Sequence, residues 1–196
     1  ALEPLRQPLE EREVTVSRVE ASVTYPANFQ LVAAMNPCPC GHFPDRSRCR
    51  CTDGQITRYL QKVSGPMLDR IDICVEASPI TYGDIRSSGN NESSREIRAR
   101  VEQARKIQGE RFAGENIRCN GEMSGRHIRK FCWLGREEEK FMEEIFKKLA
   151  LSARMHDRIL KVARTTADLA EEEKIRLADL CEAVSYVKSR DKFWGN

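Results

Sequence analysis

The pattern of apolar and polar positions in the first 77 residues predicts strands. Residues 14–26 contain two short β-rich runs on either side of a tip at residues 18–22, which indicates a hairpin. Residues 29–35, Phe-Gln-Leu-Val-Ala-Ala-Met, are nearly continuously apolar, which is typical of a strand buried on both faces. A second short strand is predicted at residues 71–76, Ile-Asp-Ile-Cys-Val-Glu.

The periodicity elsewhere is that of amphipathic helices. Residues 52–55, Thr-Asp-Gly-Gln, have the form of a capping box, and apolar residues then recur at positions 56, 59, 60 and 63, the i, i+3, i+4, i+7 spacing of one helix face. Beyond residue 93 the pattern is helical throughout, and it predicts helices over residues 94–112, 125–133, 136–150, 152–170 and 174–189.

These elements predict a chain of two parts. Residues 1–77 form an α/β part that consists of a hairpin and further sheet strands, and residues 94–196 form an all-α helical bundle. Residues 78–93 are rich in Ser, Gly and Asn and are interpreted as a linker.

Composition limits the class of protein. The 196 residues are 40% hydrophobic and 32% charged, as in an ordinary globular protein, and no apolar stretch approaches the about 18 residues of a membrane span. The first residues lack the continuous apolar core of a signal peptide, so a reducing cytoplasm is the expected compartment. The net charge of +3 permits nucleic-acid binding but does not argue for it.

Half of the eight cysteines are clustered. Cys38, Cys40, Cys49 and Cys51 form two C-x-C pairs separated by eight residues, which places four thiolates on one short loop. Four thiolates close a tetrahedral Zn²⁺ site, and a closed site of this kind is structural rather than catalytic. Unliganded thiols and disulfides formed on purification are the alternatives, and His42 is a spare ligand.

The remaining cysteines are scattered. Cys74 and Cys181 fall in apolar-periodic segments and are predicted to be small core residues.

Three ordered motifs resemble one protein family over essentially the whole chain. They are LVAAMNPCPCG, RYLQKVSGPMLDRIDICVE and LSARMHDRILKVARTTADL, and they are similar to the ComM family of magnesium-chelatase-like AAA+ ATPases. The resemblance implies a partial AAA+ core in residues 1–77 and a helical lid in residues 94–196. It also implies ATP and Mg²⁺ as cofactors and a ring of identical subunits, a hexamer in the full-length protein.

The same resemblance implies an incomplete nucleotide site. LRQPLE, residues 5–10, directly follows the Walker B acidic residues in that family, and neither a Walker A nor a Walker B motif occurs here. The chain is therefore expected to be a C-terminal fragment that does not hydrolyse ATP alone.

The motifs imply roles for three residues. Asn36 corresponds to sensor 1, which orients the attacking water or contacts the γ-phosphate; without the motif it is an ordinary turn residue before Pro37. Arg70, in the LDR motif, corresponds to the arginine finger, with an intrachain ion pair to a neighbouring aspartate as the alternative. Arg154 corresponds to sensor 2 of the lid, with Arg158 and Arg164 as further candidates.

The hairpin corresponds to the family's pre-sensor-1 hairpin, which in related ring helicases contacts DNA. Arg18, near its tip, is the expected phosphate contact, and an edge hairpin without a ligand is the alternative. The expected function is that of a motor acting on DNA in branch migration and natural transformation. Two alternatives stay open: a zinc-containing module that binds nucleic acid or protein without a nucleotide cycle, and a metal-chelatase subunit of tetrapyrrole synthesis.

Overall fold

The computed structural model describes residues 2–77, 80, 82–86 and 92–194. Two compact units are present: the first contains the described residues from 2 to 73 and from 190 to 194, and the second contains those from 74 to 189. The predicted linker lies partly outside the described residues, and its described part includes helix α4, Tyr82–Arg86. The predicted boundaries at residues 77 and 94 stay predictions.

The first unit contains one two-stranded sheet and several short helices. Its elements are a 3₁₀ turn (Glu3–Leu5), α1 (Arg6–Glu11), β1 (Glu13–Arg18), β2 (Ala21–Pro26), α2 (Asp53–Leu60) and α3 (Gly65–Leu68). β1 and β2 are antiparallel, and the pairing of Arg18 with Ala21 leaves Val19 and Glu20 as the tip, so the predicted hairpin is confirmed.

Helix α2 begins as the sequence predicts. The Thr52 hydroxyl accepts from the backbone N–H of Gln55, and the Gln55 side chain accepts from the backbone N–H of Thr52. Ile56 and Leu60, one turn apart, are buried and turn one face of the helix toward the preceding loop.

Two predicted strands are wrong. Residues 29–35 and 71–76 have no regular secondary structure, and both segments expose apolar side chains, including Val32 (83% exposed) and Val75 (74%). An apolar run forms a buried strand only where neighbouring strands pair with it. Among the described residues the only sheet pairs β1 with β2, so neither segment has a strand beside it.

All regular structure described in the second unit is helical. Besides α4, it contains α5 (Ser94–Arg111), a 3₁₀ turn (Asn120–Glu122), α6 (Gly125–Phe131), α7 (Arg136–Lys148), α8 (Ala153–Leu169) and most of α9 (Leu177–Trp194). The five helices predicted beyond residue 93 are confirmed, with ends that differ by a few residues. Within the described part of the chain, no helix is both long and apolar enough to span a bilayer.

The core of this unit is formed by one face from each of several helices. Its fully buried members include Ile159 and Ala163 of α8 and Leu180 of α9. The predicted core positions of Cys74 and Cys181 are wrong: Cys74 is half-buried and Cys181 is exposed, one residue beyond the buried face at Leu180. Cys132 is buried instead, and burial raises the pKa of its thiol to about 12.

A buried polar network ties α8 to α5 and to the 3₁₀ turn. The carboxylate of Asp168, fully buried, accepts from both Nη atoms of Arg111, from Nδ2 of Asn120 at 2.7 Å and from Nε of Arg164 at 3.1 Å. Arg164 also donates to the backbone carbonyls of residues 172 and 173. Burial lowers the pKa of Arg164, and the Asp168 carboxylate opposes that effect.

Removing this carboxylate should destabilise the helical unit. In Asp168→Ala, two guanidinium groups lose their counterion, and the side chain of Arg164 is only 3% exposed. We expect the free energy of unfolding to fall by about 3–5 kcal/mol, because breaking a buried pair leaves uncompensated buried charge. Urea denaturation followed by circular dichroism measures the change.

The matched control is Asp157→Ala on the same helix. Its carboxylate is 44% exposed and pairs with His156, so we expect a change within about 0.5 kcal/mol. Equal losses for the two variants would show that the network does not carry the stability of the unit.

Candidate metal centre

The loop before α2 folds around its cysteines by short-range hydrogen bonds. The backbone N–H of Gly41 donates to the carbonyl of Cys38 at 3.1 Å, and that of Cys49 donates to the carbonyl of Asp45 at 2.8 Å. Gly41 has a φ of +81°, a conformation that glycine adopts without strain. These turns bring the two C-x-C pairs together.

The four sulfur atoms have the spacing of a tetrahedral metal site. The Sγ atom of Cys38 lies 3.4 Å from that of Cys40 and 3.8 Å from that of Cys49, and all four Sγ atoms lie within 4.8 Å of one another. A Zn–S bond of 2.3 Å in a tetrahedron requires sulfurs about 3.8 Å apart. The donor set therefore fits zinc. All four cysteines are free thiols here, and their sulfurs are well beyond the disulfide distance of about 2.05 Å.

Backbone amides favour the thiolate form at this site. The N–H of Phe43 donates to Sγ of Cys38 at 3.4 Å. Hydrogen bonds from the backbone N–H of His42 and then from the Cys38 thiol lower the pKa of Cys40 to about 6. For Cys51, the backbone N–H of Cys40 acts in the same direction, but desolvation and the neighbouring thiols outweigh it and raise the pKa to about 11. Four thiolates so close together need a cation between them.

Arg46 joins the loop to the start of α2. Its guanidinium pairs with Asp53, donates to the carbonyl of Cys51 at 3.3 Å and lies 5.1 Å from the centroid of the Phe43 ring. The other two arginines of the loop, Arg48 and Arg50, are exposed.

A small apolar cluster includes two of the four cysteines. Buried Cys38, Cys49, Ile56 and Leu60 form it, and Phe43, Tyr59, Phe193 and Trp194 pack against it. Nε1 of Trp194 donates to the carbonyl of Leu60 at 3.0 Å, across 134 residues of sequence. The last turn of α9 thus packs against the loop of residues 38–51, which we name the metal loop.

The predicted sensor residue Asn36 is exposed and lies beside this loop. A Cβ atom placed on Gly41 would be 3.6 Å from Nδ2 of Asn36, so the amide rests against the glycine turn. Asn36 is separated from Cys38, the first cysteine of the cluster, by Pro37 alone.

Arg70 is held within the first unit. Its Nε donates to the carbonyl of Arg6 at 3.1 Å, its Nη1 donates to that of Pro66 at 2.6 Å, and its Nη2 pairs with the carboxylate of Glu10. The side chain is 13% exposed. The sequence suggested an ion pair between Arg70 and a neighbouring aspartate. The structure pairs Arg70 with the carboxylate of Glu10, 60 residues away.

Two of the other predicted site residues, Arg18 and Arg154, are exposed. Arg18 is the last residue of β1, beside the tip of the hairpin, and Arg154 is exposed in the first turn of α8. Arg164, a further sensor candidate, is 2% exposed and belongs to the Asp168 network, which gives it a structural role.

The sequence did not indicate that Glu10 and Trp194 make contacts that hold the first unit together. Glu10 lies in LRQPLE, and its charge alone did not indicate a partner. The adjacent aromatic residues Phe193 and Trp194 at the end of α9 were a usable signal, because paired aromatics on a helix end commonly pack against another element.

Comparisons with known proteins match both parts of the chain. The sequence profile of the magnesium chelatase subunit ChlI matches residues 1–85, and the profile of the C-terminal part of that subunit matches residues 91–187. The chain is 42% identical over 186 residues to competence protein ComM of Haemophilus influenzae. It is 43% identical over 187 residues to the uncharacterized protein YifB of Escherichia coli and 41% identical over 187 residues to YifB of Salmonella typhimurium.

These alignments cover unequal shares of the proteins. Each includes 94% of this chain and 36% of the relative. The chain therefore spans about a third of the length of the curated relatives it matches.

Proposed function

The chain belongs to the family of the magnesium chelatase subunit ChlI, and from that premise we propose that it is the nucleotide-sensing and lid part of an AAA+ ATPase that works on DNA as a ring. The observation that carries the proposal is the pair of consecutive profile matches over residues 1–85 and 91–187. The identity of 42% to ComM over the same range supports it. In this proposal the first unit is a partial AAA+ core and the second unit is the helical lid.

Two exposed polar side chains suit contacts to a nucleotide. The amide of Asn36 lies beside the glycine turn of the metal loop and remains open to solvent. We assign it the contact to the γ-phosphate or to the attacking water. Arg154 lies in the first turn of α8 and is assigned the lid contact. ATP with Mg²⁺ supplies the phosphoanhydride bond that is hydrolysed.

We assign Arg70 the role of arginine finger. In this role its guanidinium leaves Glu10 and binds a phosphate of the nucleotide in a neighbouring subunit. Its guanidinium is oriented by two backbone carbonyls, and only Nη2 is bound to a carboxylate, that of Glu10. A phosphate of a neighbouring subunit's nucleotide presents oxygens of the same kind and more charge. The two carbonyl contacts keep the side chain ordered for that exchange.

The metal loop is assigned a structural role in this machine. A site of four thiolates has no open coordination position. The loop connects Asn36 to α2, and α2 leads through α3 to Arg70. Zinc thus stiffens the segment between the proposed sensor and the proposed finger.

The hairpin is assigned the contact to DNA. Arg18 is exposed next to the two-residue tip, where a guanidinium reaches phosphate oxygens without steric hindrance from the strands.

ATP turnover by the full-length protein tests the proposal. We expect Mg²⁺-dependent hydrolysis by an oligomer, and Asn36→Ala should lower kcat about 10²-fold with little change in the Kd of ATP, since one donor to the developing charge is lost. Asn28→Ala, an exposed asparagine eight residues earlier in the same segment, is the matched control and should leave kcat unchanged.

If the full-length protein neither binds nor hydrolyses ATP, the proposed ATPase function is contradicted. If that protein binds DNA in a zinc-dependent manner, the binding module without a nucleotide cycle takes its place.

A further inference from the structure

A shallow groove beside the cysteine cluster has the features of a binding site. It has a volume of about 390 Å³, is open to solvent along one side, and is lined by the loop at Pro39, Cys40 and Cys51 and by one face of α2. So open a groove does not enclose a small molecule. It can take an extended chain that passes along α2.

Two cationic side chains lie beside the cysteines of the groove. Arg58 and Lys62 line it, both exposed, and no acidic residue is among its lining residues. They are four residues apart, so they lie one turn apart on the same side of α2 and its end, with a rise of about 6 Å. That rise corresponds to about two nucleotides at 3.4 Å each.

An aromatic ring lies beside Lys62 in the same groove. Tyr59 is half-buried and packs on the apolar cluster under the metal loop, so its ring is held in place. The Nζ atom of Lys62 lies 5.3 Å from the centre of that ring. Gln55 adds an amide to the groove one turn earlier.

We propose that this groove binds single-stranded nucleic acid, with Arg58 and Lys62 on two phosphates of the same strand and Tyr59 against a base. Proteins that bind single strands combine a cationic groove with a fixed aromatic side chain in this way. An acidic peptide would need the two cations but would gain little from the ring. Arg18 of the hairpin is not among the residues that line the groove, and the choice of nucleic acid as ligand rests on the proposed function.

The experiment measures binding of a fluorescein-labelled 20-mer of thymidylate to the zinc-loaded full-length protein, without nucleotide, by fluorescence anisotropy. We expect the double variant Arg58→Glu/Lys62→Glu to raise Kd about tenfold or more and to reduce the slope of log K against log salt by about 1.4, the value for two phosphate contacts. The control Arg98→Glu/Lys106→Glu makes the same charge change at exposed positions of α5 and should change Kd less than about twofold.

A second variant tests the aromatic contact. Tyr59→Leu keeps apolar bulk on the cluster and should raise Kd about fivefold or more, since stacking of one base contributes about 1–3 kcal/mol. Unchanged binding by Tyr59→Leu, or equal competition by polyglutamate, overturns the assignment to nucleic acid.

The cations could instead serve only to offset the negative charge of a zinc–thiolate centre. In that case the Arg58→Glu/Lys62→Glu protein loses zinc while binding the oligonucleotide as the control does, and this result overturns the proposal. Because the assay contains no ATP, its outcome is independent of ATP turnover. If the protein hydrolyses ATP but the groove does not bind the oligonucleotide, only the groove proposal is rejected. If the groove binds the oligonucleotide but the protein does not hydrolyse ATP, only the proposed motor function is rejected.

Discussion

Replacing Cys38 with serine should reduce bound zinc from one ion per chain to nearly none and unfold the loop between residues 38 and 51. Cys38 is fully buried, its sulfur lies 3.4–3.8 Å from two other thiols, and it is also one of the four buried members of the cluster beneath the site. A cluster of this size stabilises little by itself. Structural zinc contributes apparent binding energies of about 10–16 kcal/mol in zinc-finger peptides, and that energy is folding energy.

Elemental analysis measures the metal, and the fluorescence of Trp194 reports on the unit. Because Trp194 donates to the carbonyl of Leu60 and packs on the cluster, its emission should shift to the red when the loop unfolds. Trp133 lies in the other unit and is already 53% exposed, so a Trp133→Phe background isolates the signal.

Cys181→Ser is the control for this substitution. Cys181 is exposed on α9, outside the cluster, and its replacement should leave one zinc ion per chain. Equal zinc content in the two variants would contradict the site. A lack of zinc in the unsubstituted protein under reducing, zinc-replete conditions would also contradict the site. That result would favour the alternative of unliganded thiols.

If the proposed function holds, replacing Arg70 with alanine should lower the kcat of ATP hydrolysis by the full-length protein about 10³-fold or more and leave ATP binding intact. Arginine fingers contribute about 10³–10⁵ to the rate of phosphoryl transfer, because their charge stabilises the transition state rather than the bound substrate. Steady-state turnover and equilibrium binding of ATP measure the two effects separately.

The contacts of Arg70 within the chain require a second variant. Arg70 links Glu10 and the carbonyls of Arg6 and Pro66, so its loss also removes a structural tie. Glu10→Gln removes the ion pair with Arg70 and keeps the guanidinium. We expect this variant to retain most of its kcat, with a small loss of stability. Parallel losses of turnover and stability in the two variants would identify Arg70 as a structural residue only.

The helices and the cysteine cluster could be predicted because their determinants are local. A capping box needs residues 52 and 55, and the periodic faces of α5 and α8 can be seen within single segments. The four thiols lie within fourteen positions, so loop closure over a short stretch is sufficient to bring them together.

The wrong predictions concern features that depend on distant partners. Residues 29–35 have the composition of a central strand, but composition does not supply a neighbouring strand. The ion pair of Arg70 with Glu10 spans 60 residues, and the Asp168 network joins side chains from three elements. Polar residues that meet in a core carry no periodic signal, because each looks like a surface residue in its own segment.

The contact between Trp194 and Leu60 also sets an order of events during synthesis. At about 5–20 residues per second, the 134 residues between them take about 7–27 s to be added. The cysteines therefore leave the ribosome long before the aromatic pair that covers their cluster. During that interval the nascent loop lacks this cover, so we expect zinc bound early in translation to protect its thiols and to raise the yield of folded protein.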